Sequence, residues 1–104
     1  MLSYQGSLNS GYGVDHFEEG VYLFNPPNSN LTKDDLGVRE ILVSGWANFA
    51  KTGTPNVPTT DFWQKSSWSG SWPVNYMNIT GPYSFAMEAR PEIAKRVEFW
   101  EEFL

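Results

Sequence analysis

His16 is the only histidine in the 104-residue chain. Histidine is the side-chain type that changes charge near neutral pH, and so it is the usual general base of nucleophilic catalysis. It stands between a glycine-rich loop, Ser10-Gly11-Tyr12-Gly13, and a short acidic-apolar run that can start a helix. Asp15, Glu18 and Glu19 surround it. Asp15 is badly placed to orient the imidazole, because neighbours on an extended loop point to different sides. Glu18 and Glu19 do not make a glycosidase pair, which must flank a scissile bond at a separation of ~5–9.5 Å with opposed orientation. In the first turn of a helix they would instead favour its dipole. A serine nucleophile on a strand-to-helix elbow reads Gly-x-Ser-x-Gly. The chain contains no such run, since Ser69-Gly70-Ser71 lacks the frame, and it has no glycine-rich oxyanion-hole stretch. It offers a base without a recognisable nucleophile.

Bulk composition narrows the partners. The net charge is −5 and the seven basic residues are scattered, which argues against nucleic acid and against an anionic membrane surface. With no cysteine there is no disulfide, thiol nucleophile or thiolate-bound zinc. The lone histidine argues against an all-protein transition-metal site. No apolar run approaches the ~18–20 residues of a membrane span. A hydrophobic content of 40% suits a folded chain with a modest core.

The elements that would position His16 follow from periodicity. Leu2 to Gln5 alternates as a strand end feeding a loop over residues 6–13. Glu18 to Phe24 can form about two helical turns with Val21, Tyr22 and Phe24 inward, stopped by Asn25-Pro26-Pro27. The clearest helix runs from Lys33 to about Lys51. Thr32 is its N-cap, Asp35 completes a capping box, and Gly53 then Pro55 end it. Val38, Ile41, Leu42, Gly45, Trp46 and Phe49 form its apolar face, with Trp46 and Phe49 read as core. From Pro55 to Met87 the pattern loosens, with a short strand over Asn75 to Ile79. Pro91 opens a last helix, with Ile93, Val97, Trp100 and Leu104 along one face. Trp63, Trp68 and Trp72 would suit a sugar-stacking platform, but aromatic packing of an irregular segment against a larger body is the preferred reading. Two N-glycosylation sequons occur, at Asn30 and Asn78.

Three segments, in order, resemble type-B carboxylesterases, the cholinesterase-like branch of the α/β-hydrolases. Gly13-Val14-Asp15-His16, with Glu18-Glu19 and Val21-Tyr22-Leu23-Phe24, is similar to the family's histidine segment. Trp46-Ala47-Asn48-Phe49-Ala50-Lys51-Thr52-Gly53-Thr54-Pro55-Asn56 resembles its Trp-x-Asn-Phe-Ala-Lys-x-Gly-x-Pro signature. Trp72-Pro73, Tyr76-Met77-Asn78-Ile79 and Phe99-Trp100 resemble its C-terminal tail. Two departures lie beside the histidine: Phe17 is bulky where the family has a small residue, and Gly20 stands where an apolar one is common.

The resemblance implies an α/β fold class: residues 1–104 as the C-terminal part of a carboxylesterase type-B domain, with a late sheet strand and two or three packing helices. It implies that His16 is the base of a Ser-His-Glu/Asp triad whose serine and acid lie upstream. His16 would take the serine proton during attack on an ester carbonyl, then protonate the leaving alcohol and activate water for deacylation. No cofactor is implied. The partner would be an ester substrate of a full-length, secreted parent, and the segment would need the rest of the hydrolase domain. Met1 to Gly6 has neither the basic nor the apolar region of a signal peptide, so a signal is expected upstream. Two alternatives stay open: a non-catalytic, cholinesterase-like adhesion protein, and an aromatic carbohydrate-binding module.

Overall fold

The computed structural model describes residues 1–6, 11, 13–27, 29–56, 62–66 and 75–104. Their elements are α1 (Glu19–Phe24), α2 (Lys33–Thr52), β1 (Tyr76–Gly81), β2 (Ser84–Glu88) and α3 (Pro91–Glu101). The long helix forms where its end signals place it. Thr32 accepts from the Asp35 backbone N–H at 3.2 Å, and the Asp35 carboxylate accepts from the Thr32 N–H at 2.8 Å. That reciprocal box satisfies two N–H groups that no helical carbonyl can reach. At the other end Gly53 takes a left-handed φ of 77° and returns its N–H to the Phe49 carbonyl at 2.8 Å. Glycine adopts that conformation without a Cβ clash.

One core joins the two halves. Tyr22 of α1, Val38 and Leu42 of α2, and Met77 and Ile79 of β1 are buried together, with Leu2, Tyr4, Ile41, Trp63 and Phe85 packed around them. The buried line on α2 is Val38, Leu42 and Gly45. Trp46 and Phe49, expected in the core, are instead 55% and 60% exposed. They sit on the next row of the helix and line an open groove with Pro55 and Trp63. In α1 only one of the three expected inward residues is fully buried: Tyr22 has no exposure, Val21 is half-buried, and Phe24 is 73% exposed. Two residues along a helix turn a side chain by about 200°, so Tyr22 and Phe24 cannot share a face. α1 stops at Asn25, whose φ of 43° is left-handed, one residue ahead of Pro26.

β1 is the middle strand of its neighbourhood. On one edge it pairs antiparallel with β2, with Met77 opposite Met87 and Ile79 opposite Phe85. On the other edge Leu2 runs parallel to Ile79: the Ser3 N–H donates to the Ile79 carbonyl at 2.8 Å, and the Ile79 N–H donates to the Met1 carbonyl at 3.0 Å. The first residues therefore act as the expected strand end. β1 begins at Tyr76 and extends beyond Ile79 to Gly81. β2 has no counterpart among the elements expected from periodicity, because Ser84 to Glu88 has no fully buried residue and no strong apolar alternation. α3 opens with Pro91 in its first turn. Its expected stripe is only partly covered: Ile93 and Val97 are half-buried, whereas Trp100 is 65% exposed and Leu104 lies past the helix end, fully exposed.

A polar knot ties the first residues to both α1 and α2. Asp35 has no solvent exposure. Its Oδ1 accepts the Tyr4 hydroxyl at 3.0 Å, and its Oδ2 accepts the Thr32 hydroxyl at 2.7 Å. Gly6 passes so close that a Cβ there would sit 2.8 Å from Asp35 Oδ1 and would collide with the Tyr22 hydroxyl. Burial pushes the Tyr22 phenol well above the ordinary 10.0, and the nearby Asp35 and Glu18 carboxylates add to that rise. The Tyr4 phenol is also raised, by burial and then by its hydrogen bond to Asp35.

Two outcomes follow from the knot. Asp35→Ala leaves Tyr4 and Thr32 without an acceptor and should cost about 3 kcal/mol, against about 1 kcal/mol for Thr32→Ala, read as shifts in urea midpoint. Because the folded state holds both phenol protons more tightly than the unfolded state, their contribution is complete below pH 10 and is lost as pH rises beyond it. Urea midpoints measured above pH 10 should therefore fall with pH, and should fall less in Tyr4→Phe/Tyr22→Phe.

Candidate active site

The segment carrying His16 is a tight turn latched at both ends. The Asp15 N–H donates to Glu18 Oε2 at 3.0 Å, and the Glu18 N–H returns to the Asp15 carbonyl at 3.4 Å. His16 and Phe17 are the two central residues of that turn. The His16 backbone N–H donates to Asp15 Oδ1 at 2.7 Å. Asp15 therefore serves the backbone of the turn, in keeping with the reading that it is not the partner of the imidazole. Gly13, with a left-handed φ of 83°, redirects the chain into the turn. On the exit side the Gly20 N–H donates to the Phe17 carbonyl at 3.0 Å and the Val21 N–H to the Glu18 carbonyl at 3.1 Å, so the turn runs directly into α1.

Glu18 and Glu19 play different parts. Glu18 is 5% exposed and spends Oε2 on the Asp15 backbone. Its other oxygen, Oε1, is buried and meets no hydrogen-bond donor among the described residues. Glu19 opens α1, where its carboxylate favours the positive end of the helix. The His16 side chain is exposed. An accessible imidazole thus stands on a turn whose own carboxylates are occupied in holding its backbone. The latch has the Asp-x-x-Glu spacing of a capping box, so its signal is present in the sequence.

Phe17 is the unusual residue of the turn. Its φ is 65°, a conformation that side chains rarely adopt, and it is 62% exposed. Its ring covers Gly20, where a Cβ would come within 2.5 to 2.9 Å of three ring atoms. The two departures noted in the sequence therefore fit each other: the bulk at 17 occupies the space left by the missing side chain at 20.

The remaining candidates lie apart from this turn. Asn30 is exposed just ahead of α2. Asn78 is 1% exposed in β1, where it accepts the Ser3 hydroxyl at 2.7 Å and donates its amide to Glu88 at 3.1 Å. Trp63 lies against Gly45 of α2, and its backbone is held by Asn56 through two hydrogen bonds, of 2.9 and 2.8 Å. The one described tryptophan of the three is thus engaged in packing, while Trp68 and Trp72 lie outside the described residues. Among the described residues no cluster of three metal-binding side chains occurs, and no helix is long and apolar enough to cross a membrane.

Comparison with known proteins covers nearly the whole chain. The profile of the carboxylesterase family matches residues 2–100. The chain is 32% identical to juvenile hormone esterase of Tribolium castaneum over 107 residues, which cover 90% of this chain and 18% of that protein. It is 33% identical to acetylcholinesterase 1 of Caenorhabditis briggsae over 88% of this chain and 16% of that one. It is 27% identical to the bile salt-activated lipase of Mus musculus over 85% of this chain and 15% of that one. The match thus spans less than a fifth of the length of each of these relatives. An α/β-hydrolase fold follows at the family level, and the three helices and small sheet are compatible with a part of it. A family profile aligned from the first strand residue to the last helix, together with relatives above 30% identity, places this chain in the carboxylesterase family.

Proposed function

We propose that these residues form the histidine-bearing part of a carboxylic-ester hydrolase, with His16 as the general base of a Ser-His-acid triad. The observation that carries this reading is the accessible imidazole on a doubly latched turn. A base must reach the nucleophile, and a turn with few ways to move holds it in position at little entropic cost. The names of the relatives, an esterase, a cholinesterase and a lipase, support ester hydrolysis as the reaction class. The sequence has no Gly-x-Ser-x-Gly run, so in this proposal the serine, the acid and the oxyanion hole come from elsewhere in the same domain. The serine hydroxyl attacks the ester carbonyl as its proton passes to His16. The imidazolium then gives that proton to the departing alcohol, and the neutral ring next activates water to release the acid.

The packing supports dependence on the rest of a domain. Trp46 and Phe49 are exposed on α2, and Phe99, Trp100 and Phe103 are exposed near the C-terminus. Phe99 packs its ring edge-on to Trp100 and Phe103 at centroid distances of 5.3 and 5.2 Å. Faces of this kind gain free energy when another surface covers them. The exposed sequon at Asn30 supports a secreted protein carrying one glycan. Asn78 would have to give up its place in β1 to carry a second.

The catalytic reading is tested with the intact polypeptide that carries this segment. His16→Ala should lower kcat on p-nitrophenyl acetate by at least about a hundredfold. Its circular dichroism should be unchanged, because the replaced side chain is exposed. Equal activity in the two proteins would remove His16 from the reaction. For the glycan, expression in a host that glycosylates should give a mass loss on enzymatic deglycosylation. Asn30→Gln should abolish that loss, and Asn78→Gln should not.

A further inference from the structure

We infer that Phe17 forms an apolar wall of the His16 site that favours esters with a bulky apolar alcohol group, and that Gly20 is the seat that holds this wall in place. The inference rests on the reading of His16 as the base.

The first observation is that Phe17 holds a φ of 65°. Glycine would take that position without steric cost, whereas a side chain crowds its own backbone there. Burial among the described residues does not account for keeping a phenylalanine in it, since the residue is 62% exposed there. Strain retained at an exposed position points to a role for the side chain itself. The second observation is the contact with Gly20. One part of the ring fills the space where a Cβ would stand, at 2.5 to 2.9 Å from three ring atoms. The ring is therefore seated, and its remaining surface faces solvent. The third is what the turn presents outward. Glu18 is buried and Asp15 is bonded to the His16 backbone, so His16 and Phe17 are the central pair offered at the surface.

The chemistry of the base indicates which half of the ester meets this wall. His16 delivers its proton to the departing alcohol oxygen, so the alcohol group must lie beside the imidazole in the transition state. A fixed aromatic surface one residue away then covers an apolar alcohol group and removes it from water. A small alcohol leaves the surface wet and gains nothing from it. Discrimination by apolar contact of this kind is modest, roughly ten- to a few-hundredfold between substrates.

The test compares kcat/KM for benzyl acetate and ethyl acetate, which share an acyl group, in the intact polypeptide that carries this segment. Phe17→Gly suits the backbone and removes the wall. It should lower kcat/KM for benzyl acetate about tenfold further than for ethyl acetate. Phe17→Tyr keeps the ring and should retain the preference. Gly20→Ala displaces the ring and should act in the same direction, while Phe17→Gly/Gly20→Ala should be no worse than Phe17→Gly alone. An equal change for the two esters in Phe17→Gly overturns the inference and leaves the esterase reading standing. A wild-type polypeptide inactive on both esters, or His16→Ala with full activity, overturns both.

Discussion

A carboxylate taken wholly out of water must recover its hydrogen bonds from the protein, and Asp35 does so from two separate parts of the chain. Tyr4 reaches it from the first residues, and Thr32 reaches it from the link between α1 and α2. The residue that caps the long helix is thus also the point where the N-terminal segment is fastened. Gly6 shows how little room remains, since even a methyl group there would run into Asp35 and Tyr22. Tyr22 carries the constraint onward: it is fully buried beside this knot and belongs to α1, the helix that grows directly out of the His16 turn. The place of the imidazole is therefore set by a buried carboxylate nineteen positions along the sequence.

The turn itself is held by short-range bonds. Asp15 and Glu18 exchange two hydrogen bonds across it, and Asp15 spends a carboxylate oxygen on the residue between them. These bonds take one carboxylate oxygen each from Asp15 and Glu18, the acidic groups nearest the histidine in the sequence. They leave the imidazole outside, on a backbone with few alternative conformations. Phe17 adds a third restraint, because its ring can stay seated on Gly20 only while the turn keeps its left-handed residue. A rigid turn on a short helix that is tied to a buried knot is a sound mount for a base, which loses rate when its position is loose.

The apolar surface is distributed unevenly. The core between α1, α2 and β1 is well covered, while the next row of α2 and the end of α3 keep their aromatic side chains in the open. On α3 those rings pack on one another. The open groove over α2 is bordered by Trp46 and Phe49 and by Pro55 and Trp63, so residues of the family signature run along its rim. Asn56, which directly follows that signature, holds Trp63 by its backbone, which brings the rim together. The signature thus organises a surface as much as a core.

Local physics was readable without the structure. The limits of α2 follow from Thr32, Asp35 and Gly53, because caps are decided by neighbours within one turn. The start of α3 at Pro91 follows from the same kind of rule. The family, and His16 as the residue to consider, also came from linear pattern. What the pattern could not settle was which apolar residues would be covered. Trp46, Phe49, Phe24 and Trp100 have the right type and spacing for a core, but burial depends on what lies opposite, and periodicity contains no information about that. β2 is faint in the sequence because a strand with no fully buried side chain shows little alternation, and only its pairing with β1 defines it. The fit of Phe17 on Gly20 appeared in the sequence as two unrelated departures, and only folding the turn brought them into contact. The chain's own residues determined the caps and the family; the tertiary structure decided exposure, strand pairing and that contact, because each of these is a property of surfaces that meet across the fold.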